Sequence, residues 1–426
     1  MLGRFIAGAN RQIITQRTAA FSAWSGLTAA PADPILGLND AFKKDTNPKK
    51  ILLGMGVYRD NDGKPYKLKC VKAAEKVILD KDMDHEYLPI SGLDSYIQKC
   101  IKLGYGDASV PMAEGRIAGA QSISGTGSLR LGFEFISKWY PHKDIDFLVP
   151  NPTWPIHRTI GGLVGYDVKS YRYYHPQTKG LDFDGMIADI EAAKDNSICM
   201  FHVCAHNPTG VDLTEEQWQQ TAEIAKRKNL LCAFDSAYQG FASGDLNKDS
   251  YSIQLFQNYT NNIVLFQSFA KNFGLYGQRA GCFSVVTQSP EEKELVMGRI
   301  KQIARPIYSN PPLYGARVVD TVLGDPELTA MWHQDLLDLS GRIIEMRAAL
   351  RGNLKQLGNE HDWSHLTSQI GMFAYTGLSS DQVNELREKY AIYMTADGRI
   401  SIAGLNTGNI DYVSEAFHAV TTGKAF

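Results

Sequence analysis

The 426-residue sequence has no run of eighteen or more apolar residues, the length a membrane-crossing helix requires. It has only six cysteines: Cys70, Cys100, Cys199, Cys204, Cys232 and Cys282. None forms a C-x-x-C pair, and several sit inside apolar runs, where a buried thiol behaves as a small hydrophobe. A reducing compartment, no disulfide frame and no metal site are expected. There is no basic run and no interleaving of basic with aromatic residues, and the net charge is only −2. A nucleic-acid or other polyanion partner is therefore not expected. Internal repeats and low-complexity tracts are also missing.

The amino terminus lacks acid. No Asp or Glu precedes Asp33, while Arg4, Arg11 and Arg17 alternate with apolar residues. That is the composition of a mitochondrial transit peptide, expected over residues 1–28, with the matrix as destination. A disordered tail is the alternative, and the location would then be cytoplasmic. No uninterrupted apolar stretch marks a secretory signal.

What the sequence contains is ordinary globular material, 44% hydrophobic and 21% charged, enough for a large core in one to three domains. From about Gly115 onward, short apolar runs end in polar or Gly/Pro turns. "IDFLVP" leads into "NPTWPIH", "SICMFHVCA" into "HNPTG", "LLCAFD" into "SAYQG", and "NIVLFQ" into "SFAKN". Runs apolar on both faces predict buried, mostly parallel strands, with helices between them. One such helix is "LTEEQWQQTAEIAKRK", where Thr214 and Gln217 match a capping box. From about Asp325 a long helical pattern precedes the strand-like pieces "GMFAY", "AIYM" and "RISIAGL", which reads as a smaller α+β domain.

In open α/β sheets ligands collect beyond the carboxyl ends of the strands. Trp154, His157, Asn207, Asp235, Tyr238, Ser268 and Lys271 all follow such ends. A loop lysine is usually a solvated charge. Lys271 differs because it follows a buried strand and has Arg279 eight residues on, and a desolvated amine beside a cation suits an imine-forming lysine. Ser124, Gly125, Thr126 and Gly127 open a helix, where free N–H groups and glycine admit a phosphate. Ser268 and Arg279 could serve the same phosphate. The spacing does not match G-x-G-x-x-G, so a dinucleotide site is the weaker reading. Asp235 is either a turn aspartate or a carboxylate facing a ring nitrogen. Pyridoxal phosphate needs an imine lysine, an acid and a phosphate cradle together.

At this point the sequence resembles the aspartate aminotransferases, fold type I pyridoxal-phosphate enzymes, in their mitochondrial form. The resemblance runs from Ala30 to the carboxyl terminus. It rests on "GVYRD", "HEYLPISG", "SGTGSLR", "NPTWPIH", "AHNPTG", "FDSAYQGFASGD", "SFAKNFGLYGQRAG", "YSNPPLYGAR" and "RISIAGL", in family order. It implies a large domain with a mostly parallel sheet flanked by helices and a smaller α+β domain. The expected boundaries are 29–65 for an arm and the first part of the small domain, 66–330 for the large domain and 331–426 for the small one. It implies pyridoxal 5′-phosphate joined to Lys271, with Asp235 at the ring nitrogen and His157 behind it. Tyr238 and Asn207 would reach the ring oxygen, and Trp154 would cover the ring. Ser124, Gly125, Thr126, Ser268 and Arg279 would hold the phosphate, with Tyr87 joining them from the neighbouring subunit of a homodimer. Arg399 would take the substrate α-carboxylate, Arg305 from the partner the distal one, and Gly56 would line the pocket beside Trp154 and Asn207.

Dicarboxylic amino acids and 2-oxo acids are the implied substrates, since a guanidinium binds each carboxylate through two hydrogen bonds. The implied reaction moves the amino group of L-aspartate to 2-oxoglutarate. An aromatic or kynurenine aminotransferase, or a non-catalytic protein of the same fold, are the alternatives. Pro155 and Ile156 depart from the smaller, more polar pair usual in the family, and the proline could tilt Trp154.

Overall fold

The computed structural model describes residues 22–29 and 34–424. Most of the expected transit peptide, residues 1–21, lies outside them. Seven strands form the central sheet, in the order Ile117–Ile123, Ala280–Val286, Ile263–Ser268, Leu231–Ser236, Ile198–His202, Phe147–Asn151 and Val168–Arg172. Ala280–Val286 runs antiparallel to both its neighbours, and the other six strands run parallel to one another.

The four apolar runs of the sequence are the four adjoining parallel strands at the middle of this sheet. Their alternate residues feed separate cores. Leu231, Ala233, Val264 and Phe266 pack on one face, and Cys232, Phe234, Ile263 and Leu265 on the other. Both faces are covered by helices, which is why the runs are apolar without alternation. The helix Ser124–Trp139 lies close on the sheet because a Cβ at Gly132 would be driven into the rings of Phe266 and Phe283. The capping box predicted at Thr214 and Gln217 opens the helix Glu215–Arg227. All six cysteines are buried and unpaired. No helix among the described residues is long and apolar enough to cross a membrane.

The carboxyl-terminal part begins with one long helix, Pro326–Gln356, which passes through the expected boundary at 330 without a break. Beyond it, Phe373–Tyr375 pairs antiparallel with Arg399–Ser401. Ile51–Leu52 pairs parallel with Ile392–Tyr393, so the chain's beginning joins its end. The "AIYM" and "RISIAGL" runs shrink to strands of two and three residues. Gly398, at φ +84°, precedes the second, and Ile402–Gly404 turns into a 3-10 helix.

Candidate active site

Strand ends deliver the chemical groups. His157 follows Phe147–Asn151, Asn207 follows Ile198–His202, Asp235 lies in Leu231–Ser236, and Lys271 follows Ile263–Ser268. Pro155 occupies the first turn of the helix Pro155–Leu163, where its fixed φ and missing N–H cost nothing. Trp154 caps that helix in the extended conformation a following proline favours. The departure from the family pattern is thereby absorbed in a helix start, and Trp154 still faces the pocket, edge-on to His157 at 5.7 Å.

The pocket is about 130 Å³, walled by Gly56, Trp154, His202, Asn207, Asp235, Tyr238, Lys271 and Arg399, with Cys204, Ala237 and Phe373 completing it. A Cβ on Gly56 would sit 2.8 Å from the Phe373 ring, so glycine keeps this wall open. A larger cleft of about 830 Å³, between Trp139, Leu231, Val264 and Arg299, opens at the other end of the sheet. It gathers no converging set of acid, base and nucleophile, and chemistry rather than size decides between the two.

Charge in the small pocket is unusual. Lys271 is half-buried, and desolvation of its amine lowers it to about 8. Asp235 opposes the shift, and the cations Arg279 and Arg399 reinforce it. Burial alone would raise the Asp235 carboxyl. The hydrogen bond from His157, helped by the nearby Lys271 amine, outweighs that and holds it below the usual range. Burial, then the neighbouring His157, pushes His202 down to about 3, so it is neutral at physiological pH. Tyr238 is pushed up, chiefly by burial and then by Asp235, and its ring lies 5.6 Å from the Lys271 amine.

Hydrogen bonds run in one direction through this cluster. The Asn207 N–H can only donate, and it meets His202 Nδ1 at 3.0 Å. His202 therefore carries its proton on Nε2, 3.4 Å from Thr153 Oγ1. The Thr153 hydroxyl donates to His157 Nδ1 at 2.8 Å, and His157 Nε2–H donates to Asp235 Oδ2 at 3.0 Å. A backbone amide thus fixes the tautomers of two histidines and leaves Asp235 as the ionised acceptor. His157, His202 and Asp235 are close enough to share a metal ion, but these atoms are already committed to one another. His202 and Thr153 were missed from sequence. A histidine ending an apolar strand was the available signal for the first, and Thr153 gave none beyond its place in the turn.

Arg399 is 6% exposed. Its Nη2 donates to the Gly54 carbonyl at 2.8 Å, and Nη1 lies 3.5 Å from Asn207 Oδ1. Its guanidinium covers the Phe373 ring at 4.4 Å, and its Nε is buried without a partner. It forms no ion pair among the described residues. Burial lowers its pKa, partly offset by Asp397. A buried guanidinium facing a cavity with no carboxylate of its own is built to receive one.

Beside the pocket lies a second anion cradle. No side chain caps the helix Ser124–Trp139, so its first-turn N–H groups after Ser124 remain available. Ser124 Oγ meets Ser268 Oγ at 3.0 Å, and the Ser124 N–H donates to the Arg279 carbonyl at 3.0 Å. Gly125 packs so tightly that a Cβ would lie 3.1 Å from Ser268. Ser124 and Arg279 both have positive φ, 57° and 54°, strain of roughly 1–3 kcal/mol each that clusters at functional sites. Thr126 belongs to the same first turn. Pyridoxal phosphate fits this layout: a phosphate cradle, a desolvated amine and an ionised carboxylate, each in place without the group.

Tyr87 and Arg305 stand apart. They share a separate surface cleft with His85, Tyr308 and Asn310, and a single chain does not bring them to Lys271. Tyr87 is 84% exposed, and Arg305 donates to Ser309 Oγ at 2.7 Å.

Comparison with known proteins gives the same picture. The family model "Aminotransferase class I and II" matches residues 48–417. The mitochondrial aspartate aminotransferase of Dictyostelium discoideum is 49% identical over 93% of both chains. The cytoplasmic aspartate aminotransferase of Saccharomyces cerevisiae has a solved structure 42% identical, with a TM-score of 0.90 over 95% of this chain and 99% of that one. An aromatic-amino-acid aminotransferase from Burkholderia pseudomallei, solved covalently bound to pyridoxal phosphate, is also 42% identical. Its TM-score is 0.90 over 94% of this chain and all of that one. With a sheet whose strand ends carry this cluster, and with the family match running through nearly its whole length, the chain belongs to the class I and II aminotransferases.

Proposed function

We propose that the chain is an aspartate aminotransferase, exchanging the amino group between L-aspartate and 2-oxoglutarate. The observation that carries this reading is the pairing, in one small pocket, of a desolvated amine and a buried guanidinium that has no carboxylate. Pyridoxal 5′-phosphate, when bound, supplies the electron-accepting ring on which amino groups are exchanged. Lys271 would hold the cofactor through its amine and would take and return the substrate α-proton, tasks suited to an amine near 8. Asp235, kept ionised by His157, holds a proton on the ring nitrogen. Tyr238 and Asn207 hold the ring oxygen, and Trp154 covers the ring. Ser124, Gly125, Thr126, Ser268 and Arg279 hold the phosphate. Arg399 takes the α-carboxylate, with Gly56, Trp154 and Asn207 shaping the space around it.

Arg305 supplies the second carboxylate contact from the partner of a homodimer, and Tyr87 likewise joins the partner's phosphate site. Their exposure together in one cleft supports this, since an isologous interface would carry both across at once. The chain reads as three segments, 29–65, 66–330 and 331–426, with the helix Pro326–Gln356 bridging the second boundary and the first and last packed together through Ile51–Leu52 and Ile392–Tyr393. A mitochondrial location is supported by the acid-free, arginine-bearing amino terminus and by the mitochondrial relatives.

The test is turnover by the cofactor-loaded protein with L-aspartate and 2-oxoglutarate, beside L-phenylalanine and beside Lys271→Ala. Oxaloacetate from the wild type and none from the variant is expected. Phenylpyruvate in place of oxaloacetate would shift the reading to an aromatic aminotransferase. Mixing inactive Lys271→Ala and Arg305→Asp homodimers tests the shared site. Random re-pairing restores one intact site in half the dimers, about a quarter of wild-type activity. No recovery after proven exchange would refute it.

A further inference from the structure

Tyr276 lies between Lys271 and Arg279 and has no role in the scheme above. Its main-chain carbonyl accepts from Arg279 Nη1 at 3.0 Å. Its phenol oxygen accepts from the Tyr58 backbone N–H at 2.9 Å, across 218 residues of sequence. Tyr58 belongs to a strap, residues 53–59, that contains two pieces of the pocket. Gly56 is one of its walls, and the Gly54 carbonyl is the acceptor that aims Arg399.

Apart from a local bond from Tyr66 N–H to Tyr58 O at 3.1 Å, the strap's other main-chain ties run to the carboxyl-terminal part. Leu53 N–H donates to Tyr393 O at 2.8 Å, Ser401 N–H to Leu53 O at 2.6 Å, and Arg59 N–H to Ala403 O at 3.2 Å. Arg342 lies over the Tyr58 ring at 3.9 Å and donates to the Arg59 carbonyl. Among the described residues, the Tyr276 phenol is the hydrogen bond joining the strap's main chain to the loop from Lys271 to Arg279. Burial raises that phenol to about 12, so it remains an uncharged acceptor throughout the working range.

We propose that Tyr276 is a positioning residue that sets the spacing between the phosphate cradle at Arg279 and the carboxylate site at Arg399. It does so by pinning the strap through the Tyr58 amide while its own carbonyl steadies Arg279. The inference rests on the roles given to Arg279 and Arg399 above. A substrate joined to the cofactor must satisfy both anion sites at once, and an error of about 1 Å between them costs as much as about 100-fold in rate. Release of the strap leaves the cradle intact and moves the Gly54 carbonyl with the carboxyl-terminal part. Both substrates carry an α-carboxylate, so both must suffer equally.

The experiment is Tyr276→Phe in the cofactor-loaded dimer. Cofactor content and the pH titration of its visible absorbance should match wild type, because the Arg279 bond is to main chain. The value of kcat/KM should fall by a common factor, about 10-fold, for L-aspartate and for 2-oxoglutarate, the loss expected when a buried N–H loses its acceptor. The Kd of succinate, a dicarboxylate that cannot react, should rise in step. Unchanged kcat/KM, a fall for one substrate only, or a fall that merely tracks lost cofactor overturns the proposal. Hydrogen exchange at the Tyr58 amide decides the pinning without reference to any substrate, and so stands even if aspartate proves not to be the substrate. Slow exchange in the wild type and at least tenfold faster exchange in Tyr276→Phe is expected. Equal rates overturn the proposal. So does a wild-type rate like that of the exposed loop at Asn61–Gly63, which needs no variant at all.

Discussion

Replacing Arg399 by methionine should abolish catalysis while leaving the fold as stable as before, or more so. Methionine is long, flexible and apolar, and it fills the guanidinium's path without leaving a large void. The catalytic loss comes from the two charge-assisted hydrogen bonds a carboxylate would make, at about 1.5–3 kcal/mol each. Together they amount to about 3–6 kcal/mol, or roughly a hundred- to ten-thousand-fold in kcat/KM. The stability argument has the opposite sign. In the unliganded protein Arg399 is a buried cation without an ion pair, with a partnerless Nε and two carbonyl acceptors, one of them at 3.5 Å. Replacing buried charge by packed apolar volume is often neutral or stabilising by about 1–4 kcal/mol. Against that stand the Gly54 carbonyl, which loses its donor, and the contact with Phe373 at 4.4 Å. The assay pairs steady-state kinetics with thermal melting, each with and without succinate. The melting temperature should be equal to or above wild type without ligand, and succinate should raise it only in the wild type. A kcat/KM within tenfold of wild type would refute the carboxylate assignment. A melting temperature lower by more than about 5 °C would refute the claim that the cation is held at a cost.

Lys271 carries the same cost in a form that pH can read. Its folded pKa of about 8 lies below the ordinary lysine value of 10.5, so between those values the unfolded chain binds more protons. The cofactor-free protein therefore gains stability as pH rises through that window, by up to about 3 kcal/mol. Lys271→Met should be the more stable protein at pH 7, with its advantage shrinking as pH approaches 10. Parallel unfolding curves at all pH values would contradict this. Thr153→Val should break the hydrogen-bond line between His202 and His157, freeing the His157 tautomer. A fall of about tenfold in kcat, with a changed pH profile and normal cofactor content, is expected. An unchanged profile would show that Asp235 needs no help from behind.

The parts of this site that were legible in sequence share one physical origin. Asp235, Asn207, Ser268 and Lys271 each end or follow an apolar run that only a sheet covered on both faces could bury. The rule that ligands gather beyond such strand ends placed them together before any contact was known. The flanking strands were harder to read. Val168–Arg172 lies at the sheet's edge and exposes most of its residues, and Ala280–Val286, antiparallel between two neighbours, follows Arg279 without a turn signal.

The relations between charges could not be read either. Nothing in "NPTWPIH" or "SICMFHVCA" says that Thr153 lies between two histidines, because that bond joins different strand ends at a distance fixed by packing. Arg399 marks the same limit. Its motif named a carboxylate ligand, but only the fold shows that the cation is buried with one backbone carbonyl, an amide and a phenyl ring for company. The three charges in the pocket make one electrostatic argument. Asp235 is held ionised by its histidine. Lys271 is lowered to about 8 by burial and by two arginines, and Arg399 is left without a counter-ion. Each is displaced from its resting preference in the direction the incoming cofactor or substrate would relieve. Stability withheld from the empty pocket is thereby available for binding and turnover, and for that reason the Arg399 and Lys271 variants should gain stability as they lose activity.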